Sequence, residues 1–291
     1  MSSVLFDNPG PRAIVRNRFI GVIVVLIVAA LFAFVIYRFN ESGQFTAEKW
    51  RAFQYPLIWE SIGKALGQTL TAFVFAGVLS IILGLALAIG RLSDHKWVSI
   101  PVTLVIELFR AIPVLILMML MYYGLPAVGV KMSPLIAVVI ALTLYNGSVF
   151  SEIFRAGIEA LPKGQKEAGY AIGLRKSGVM RLILFPQAIR SMLPVIIAQL
   201  VVALKDTALG SIITFNELLY YAKYLGNQTS LSSPIIPSAI VIGAIYITVC
   251  LILSGIAKWV EIRTKRSPKI AKPEHPGKRD VTDTQLIAAQ D

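Results

Sequence analysis

The sequence predicts an all-α, polytopic membrane protein of about six transmembrane helices, and three observations carry that prediction. Apolar residues make up 56% of the chain and charged residues only 15%, against roughly 25% charged residues in a soluble domain. The apolar residues gather into runs of about 20, the length that crosses a bilayer as a helix. Lysine and arginine fall mainly in alternate segments between those runs, the bias of loops on the inner side of a membrane.

The first run, Phe19 to Tyr37, follows Arg12, Arg16 and Arg18, which makes residues 1–18 a cytoplasmic segment. A cleaved signal peptide is the competing reading. The run is long for one and no small-x-small cleavage site follows it closely, so a retained span is expected. Asn40 to Glu60 completes a 19–60 unit. It carries Trp50, Tyr55 and Trp59 where an interfacial segment would put them, and an ordinary external linker is the alternative.

The rest of the membrane unit, 61–258, holds runs at Ala65 to Ile89, Ile100 to Tyr123, Pro134 to Phe154, Leu193 to Ile213 and Pro237 to Ala257. Gly67, Gly77, Gly84 and Gly90 recur along the first of these, and small residues let membrane helices approach closely. With the N-terminus inside, the loops at Arg91 to Lys96 and 155–190 are cytoplasmic, as is the tail from Lys258. Of the 28 lysines and arginines, 20 then lie inside, six outside, and two, Arg110 and Lys205, within spans. The net charge of +12 is therefore read as topology. A basic patch for nucleic acid is not expected, and membrane lipid is the partner. The tail 259–291 lacks the apolar residues to order itself, and its basic half can lie on anionic headgroups. Cys250 is alone, and His95 and His275 lie in a short loop and in the tail, far from any plausible metal partner, so no metal site is expected.

Polar groups inside the spans are candidates for a substrate pathway, because ionisable residues in a bilayer pair or face the bundle interior. Glu107 and Arg110, and likewise Glu152 and Arg155, are three apart and share a helix face. The pathway set is Arg110, Asn146, Glu152, Arg155, Lys205 and Asp206. The competing reading is internal salt bridges that fix helix packing, and it suits Glu152 and Arg155, near the cytoplasmic boundary, better. Ser148 adds a hydroxyl beside Gly147. Pro113 breaks its helix and frees carbonyls. No nucleophile, metal cluster or acid/base pair suggests catalysis. The chain also lacks a G-x-x-x-x-G-K-[ST] phosphate loop, so no cofactor and no ATP site is expected on it.

The loop RAGIEALPKGQKEAGYAIGLRKSGVMRLILFPQAIR, from Arg155 to Arg190, is the most patterned polar stretch. Pro162 ends the preceding helix. Gly164 to Leu174 has the composition of a short helix, with Glu167 in its first turns where the dipole favours an anion, and Gly173 is placed to stop it. Ser177 is a candidate N-cap for a second helix through Phe185, and Pro186 is expected to break that one. Ala168, Gly169, Ala171 and Gly173 leave the first helix nearly bare for another protein to approach. Lys163, Lys166, Arg175, Lys176 and Arg181 surround it.

The spacing of Glu167, Ala168, Gly169, Gly173, Ile183 and Pro186 resembles the E-A-A, x3, G, x9, I, x, L, P loop of importer permeases in the ABC transporter superfamily. Gly169 stands for the third alanine and Phe185 for the leucine. The strings FRAIP around Arg110, ALTL at Ala141, EIFRAGIEALPKGQ at Glu152 and LKDTALGSII at Leu204 are similar to the polar amino-acid branch, nearest to its glutamate-type members. The resemblance covers roughly residues 65–220. It implies an ABC importer permease fold in the cytoplasmic membrane, working by alternating access, with both termini inside. Glu167, Ala168, Gly169, Gly173 and Pro186 would dock one of two ATPase subunits, which use the ATP. A second permease, identical or related, and an external substrate-binding protein are the other implied partners. An ion-coupled secondary transporter is the alternative. That class shows repeated interrupted helices, and Pro113 has no second copy. A membrane scaffold would need no intramembrane charges.

Overall fold

The computed structural model describes residues 10–265, and among them there is no strand. Of the 259–291 tail expected to be unordered, residues 259–265 instead continue the last described helix, and the rest lies outside the described residues. Among the described residues five helices are long and apolar enough to cross a membrane, and the count is six if one bent pair is taken as a single span.

Helix α1 spans Pro11–Glu41. Proline at its first turn loses no hydrogen bond there. Gly43, at φ +69°, turns the chain away after its end. No residue of α1 is buried. The segment that follows is packed, and is no slack linker. Its short helix Ala47–Trp50 and the tight turn Arg51–Gln54 bury Ala52 beside Ile58, Ile62 and Ala65. The Trp59 indole donates to the Phe53 carbonyl at 2.9 Å.

Helix α2, Pro56–Arg91, is 36 residues, or about 54 Å at 1.5 Å per residue, so it must tilt or project from a bilayer. The third expected span is not straight. Helices α3, Lys96–Ala111, and α4, Val114–Ala127, meet at 97°. Proline 113 offers no N–H and forces Ile112 into an extended conformation (φ −84°, ψ 125°), which ends α3. Hydropathy reports the apolar length of a segment and carries nothing about its direction.

Helix α5, Pro134–Glu159, begins on Ser133, whose hydroxyl accepts from the Ile136 N–H at 3.3 Å. Its contact with α2 is the most extensive in the bundle. Small residues make it possible: a Cβ on Gly84 would lie 2.5 Å from Phe150 Cβ and 2.8 Å from the Gly147 carbonyl. Ser80 closes the same seam through its hydroxyl to the Leu142 carbonyl.

Then come α6, Lys163–Ala171, and α7, Lys176–Ile213. Helix α8, Leu218–Gly226, and α9, Ile235–Lys265, complete the described residues. We call the end carrying α6 the lower end and the end carrying α8 the upper end. Buried clusters fill the bundle from one end to the other. Leu218, Ala222 and Ile242 lie at the top, Leu117, Met118, Val138 and Leu142 at the middle, and Ile158, Val179 and Leu184 beneath.

Candidate functional site

At the lower end α6 is a short helix of about two and a half turns closed at both ends by backbone chemistry. Pro162 precedes it, and Gly173 follows at φ +84°, a left-handed position that suits glycine. The Leu174 N–H reaches the Gly169 carbonyl at 3.1 Å and the Gly173 N–H the Tyr170 carbonyl at 2.9 Å. Those two bonds form a Schellman motif, which satisfies carbonyls that the helix end would leave bare. Glu167, Ala168, Ala171 and Gly173 are exposed.

Gly169 departs from the expected bare face. It is buried, and a Cβ there would lie 2.8 Å from Val179 Cγ2 and 2.9 Å from Ile183 Cδ1. Its smallness serves the chain's own packing, letting α6 lie on the start of α7. The Gln187 amide also bonds to Gln165 at 3.3 Å. Pro186 departs too: it does not break α7. The turn Val179–Leu184 widens so that the Phe185 N–H bonds to the Met180 carbonyl. The helix register is thereby reset just before the residue that has no N–H to give. Arg175, rather than Ser177, holds the N-cap position.

Lys176 ties this platform to the α2–α3 connection. Its ammonium donates to the Leu92 carbonyl at 3.0 Å, at the C-terminus of α2, and pairs with Asp94. A cation there satisfies a free carbonyl and complements the helix dipole. The hydrogen bond from Lys176 holds the Asp94 carboxyl below the usual carboxylate range.

Above the platform, Glu152 gathers the cations of three helices. It pairs with Arg91 of α2, with Arg155 at 3.0 Å on its own helix, and with Arg110 of α3 at 3.9 Å. Glu107 reaches Arg91 at 3.8 Å, and Glu159 pairs with Arg155. Three arginines thus meet three glutamates, with Glu152, its side chain only 19% exposed, at the centre. Pairing of this kind is what makes charges tolerable in a membrane-embedded bundle. The network joins three of the six pathway candidates. Arg91 is its unforeseen member: its position in a short cytoplasmic loop signals only topology.

The other candidates lie apart. Asn146 is fully buried, and its amide donates to the Leu142 carbonyl at 3.0 Å while its oxygen accepts from Gln199 of α7 at 2.8 Å. Ser148 bonds back to the Leu144 carbonyl within its own helix. Gln199 is a lone amide within an apolar run, a signal available in the sequence but with no partner named there. Lys205 and Asp206 sit near the upper end of α7, where Lys205 is exposed and Asp206 half-buried. The sequence also gave no reason to single out Glu217. This residue is wholly buried in the upper loop and caps α8 with both oxygens, accepting from the Leu219 N–H at 2.8 Å and the Tyr220 N–H at 2.7 Å. Burial pushes its carboxyl up to about 7 despite those bonds and the nearby Lys223.

Residues 80–266 match the family described as binding-protein-dependent transport system inner membrane component. The chain is 38% identical to the glutamate transport system permease protein GluD of Corynebacterium glutamicum, over 81% of this chain and 88% of that one. It is 34% identical to the arginine transport system permease protein ArtQ of Bacillus subtilis, over 73% of this chain and 94% of ArtQ. Among solved structures, an amino acid ABC transporter crystallised with histidines matches with a TM-score of 0.66 and 30% identity, over 70% of this chain and 94% of that one. The methionine ABC transporter MetNI, at 16% identity and a TM-score of 0.58, shows the shared fold.

Proposed function

This chain belongs to the family of binding-protein-dependent transport system inner membrane components, as an amino-acid ABC transporter permease subunit, and from that premise we propose that it imports glutamate or a close polar relative, driven by ATP. The observation that carries the reading is α6: a short, rigidly capped helix that presents Glu167, Ala168 and Ala171 outward. In this reading the lower end is cytoplasmic and both termini lie inside. Two ATPase subunits dock on α6 and its counterpart in a second permease, identical or related, and an external binding protein delivers substrate to the upper end. ATP is bound and hydrolysed on the ATPases, and this chain contributes no catalytic group.

The chain's own residues supply the transmission. A displacement of α6 passes to α7 through the Gly169–Val179 packing and the Gln165–Gln187 bond. Lys176 passes it to the end of α2. The Glu152 network then carries it to α3 and α5. The break at Pro113 is where α3 can move without dragging α4, because no helical hydrogen bond has to break there. Support for glutamate is the likeness to GluD, and the strings FRAIP and LKDTALGSII support the polar amino-acid branch.

The test is capture of co-expressed ATPase by this chain in detergent, followed by uptake of labelled amino acids into proteoliposomes. Capture by the wild type, its loss in a folded Glu167→Lys, Gly173→Arg double variant, and ATP-dependent glutamate uptake are the expected results. Uptake that needs an ion gradient and no ATPase would replace the reading with an ion-coupled carrier.

A further inference from the structure

The upper end of the bundle holds a cavity of about 570 Å³, open to the outside, between the first turns of α2, the start of α5 and the 214–224 segment. Its size lies within the ~300–1,000 Å³ of small-molecule sites. Its chemistry is one-sided. Lys64 is the single cation among the lining residues, and no carboxylate lines it. Ser61, Lys64 and Gln68 are spaced three and four residues apart on α2, so they share one helix face. Across from them stand Asn216 and the phenol rings of Tyr220 and Tyr224.

Lys64 is available to a ligand. Its ammonium lies 2.7 Å from Glu60 one turn earlier, and the two side chains are 74% and 59% exposed. An ion pair so open to water holds its members weakly, and Glu60 is not among the lining residues. An arriving carboxylate therefore exchanges one anion for another at Lys64. The remaining polar lining, two amides and several hydroxyls, can accept from an ammonium and donate to a second carboxylate. The tyrosine rings offer apolar area for a short methylene chain.

We propose that this cavity is an outer-face binding site for a dicarboxylic amino acid, with Lys64 reading the side-chain carboxylate and Gln68 and Asn216 the amino-acid head. The proposal rests on the reading of the chain as an amino-acid importer and adds a selectivity determinant on the membrane subunit itself. A neutral amide side chain of the same shape forfeits the charge-assisted bond to Lys64. A cationic side chain meets Lys64 as a like charge, and none of the lining residues is a carboxylate.

The full chain in nanodiscs, without ATP or binding protein, is titrated with tritiated L-glutamate in competition with L-glutamine and L-arginine. Glutamate is expected to bind about tenfold tighter than glutamine, and arginine more weakly than either. Lys64→Gln should bring glutamate and glutamine to equal affinity, and Lys64→Arg should keep the preference. Melting curves of both variants confirm that they fold, and Asn216→Ala, expected to weaken both ligands together, gives a second measure. No glutamate binding to the wild type, or a preference that Lys64→Gln leaves intact, overturns the site. ATP-driven uptake with the binding protein is measured in parallel. Glutamate uptake with an unmoved preference in Lys64→Gln removes the site and leaves the importer. Absence of any ATP-driven uptake removes the importer, while the titration still reports on the cavity.

Discussion

Helices α1 and α5 would both be picked out as membrane spans, yet they live in opposite surroundings. The most apolar window of α1 has a mean hydropathy of 3.3 and none of it is buried, whereas that of α5 reaches only 1.7 and half of it is buried. The less apolar helix is the more deeply packed. In a bilayer the lipid tails are as apolar as any core, so burial is not driven by hydrophobicity. It goes to the helix whose small and polar residues allow close approach and internal bonding. Helix α5 carries Gly147 against Leu83, Asn146 against Gln199, and Glu152 among three arginines. Helix α1 has small residues too, Gly21, Ala29, Ala30 and Ala33, but nothing packs on them: no residue of the helix is buried, and a Cβ at Gly21 would meet nothing within 4 Å.

The contrast can be broken most severely at the α2–α5 seam. Gly84→Leu forces a side chain into Phe150 and the Gly147 carbonyl, where backbone cannot yield, and should abolish a folded, monodisperse protein in detergent. Gly21→Leu on α1 should leave the melting temperature unchanged. Overpacking of a tight core runs to about 1–3 kcal/mol or more, and this site sits at the upper end because one of the opposing atoms is main chain.

Next in size is the buried carboxyl of Glu217, whose value of about 7 stands above the ordinary 4.5. Between those values the folded protein holds a proton that the unfolded chain releases. The contribution of this group to stability is therefore fully present below about pH 4.5 and is lost as pH rises through 7, by about 3 kcal/mol for a shift of that size. Melting followed from pH 5 to pH 8 should show the fall, and Glu217→Gln should flatten it. A melting temperature that rises over the same interval would contradict the assigned burial.

Removing Glu152 by Glu152→Gln leaves three arginines facing one another and should destabilise by about 2 kcal/mol. That is less than the ~3–5 kcal/mol of a wholly buried pair, because Arg91 keeps Glu107 and Arg155 keeps Glu159. The comparable change on α1, Glu41→Gln beside Arg38, concerns a pair whose side chains are more than half exposed and should be within measurement error. Smallest of the changes that should be felt is Gly173→Ala, which places a Cβ in the left-handed region at about 1 kcal/mol. It should fray the end of α6 and weaken ATPase capture a few-fold, with little change in melting.

Which features were legible in the sequence follows from the range of the interaction behind each. The short helix α6 was readable because Pro162 and Gly173 act on their own backbone. The spans were readable because apolar length is a local quantity. The 97° turn at Pro113 was visible as a break and invisible as a direction. Pro186 misled because the widened turn just before it, Val179–Leu184, which lets the helix continue, has no residue that marks it in the sequence. Gly169 looked like an opening for a partner, when its smallness is required by its own chain. Arg91, Gln199 and Glu217 take their roles from residues on other helices, or from burial that only the assembled bundle creates.

Helix α1 has a consequence for the order of events at synthesis. It is the first described helix to be translated, the most apolar, and the one that asks nothing of its neighbours. The charges of α5 become tolerable in lipid only once Arg91 and Arg110 have been delivered on earlier helices. A fragment ending after Gly43 should therefore integrate into membranes alone, as read by resistance to alkaline extraction. The nascent chain is then held at the bilayer while its less apolar helices wait for their partners to be made.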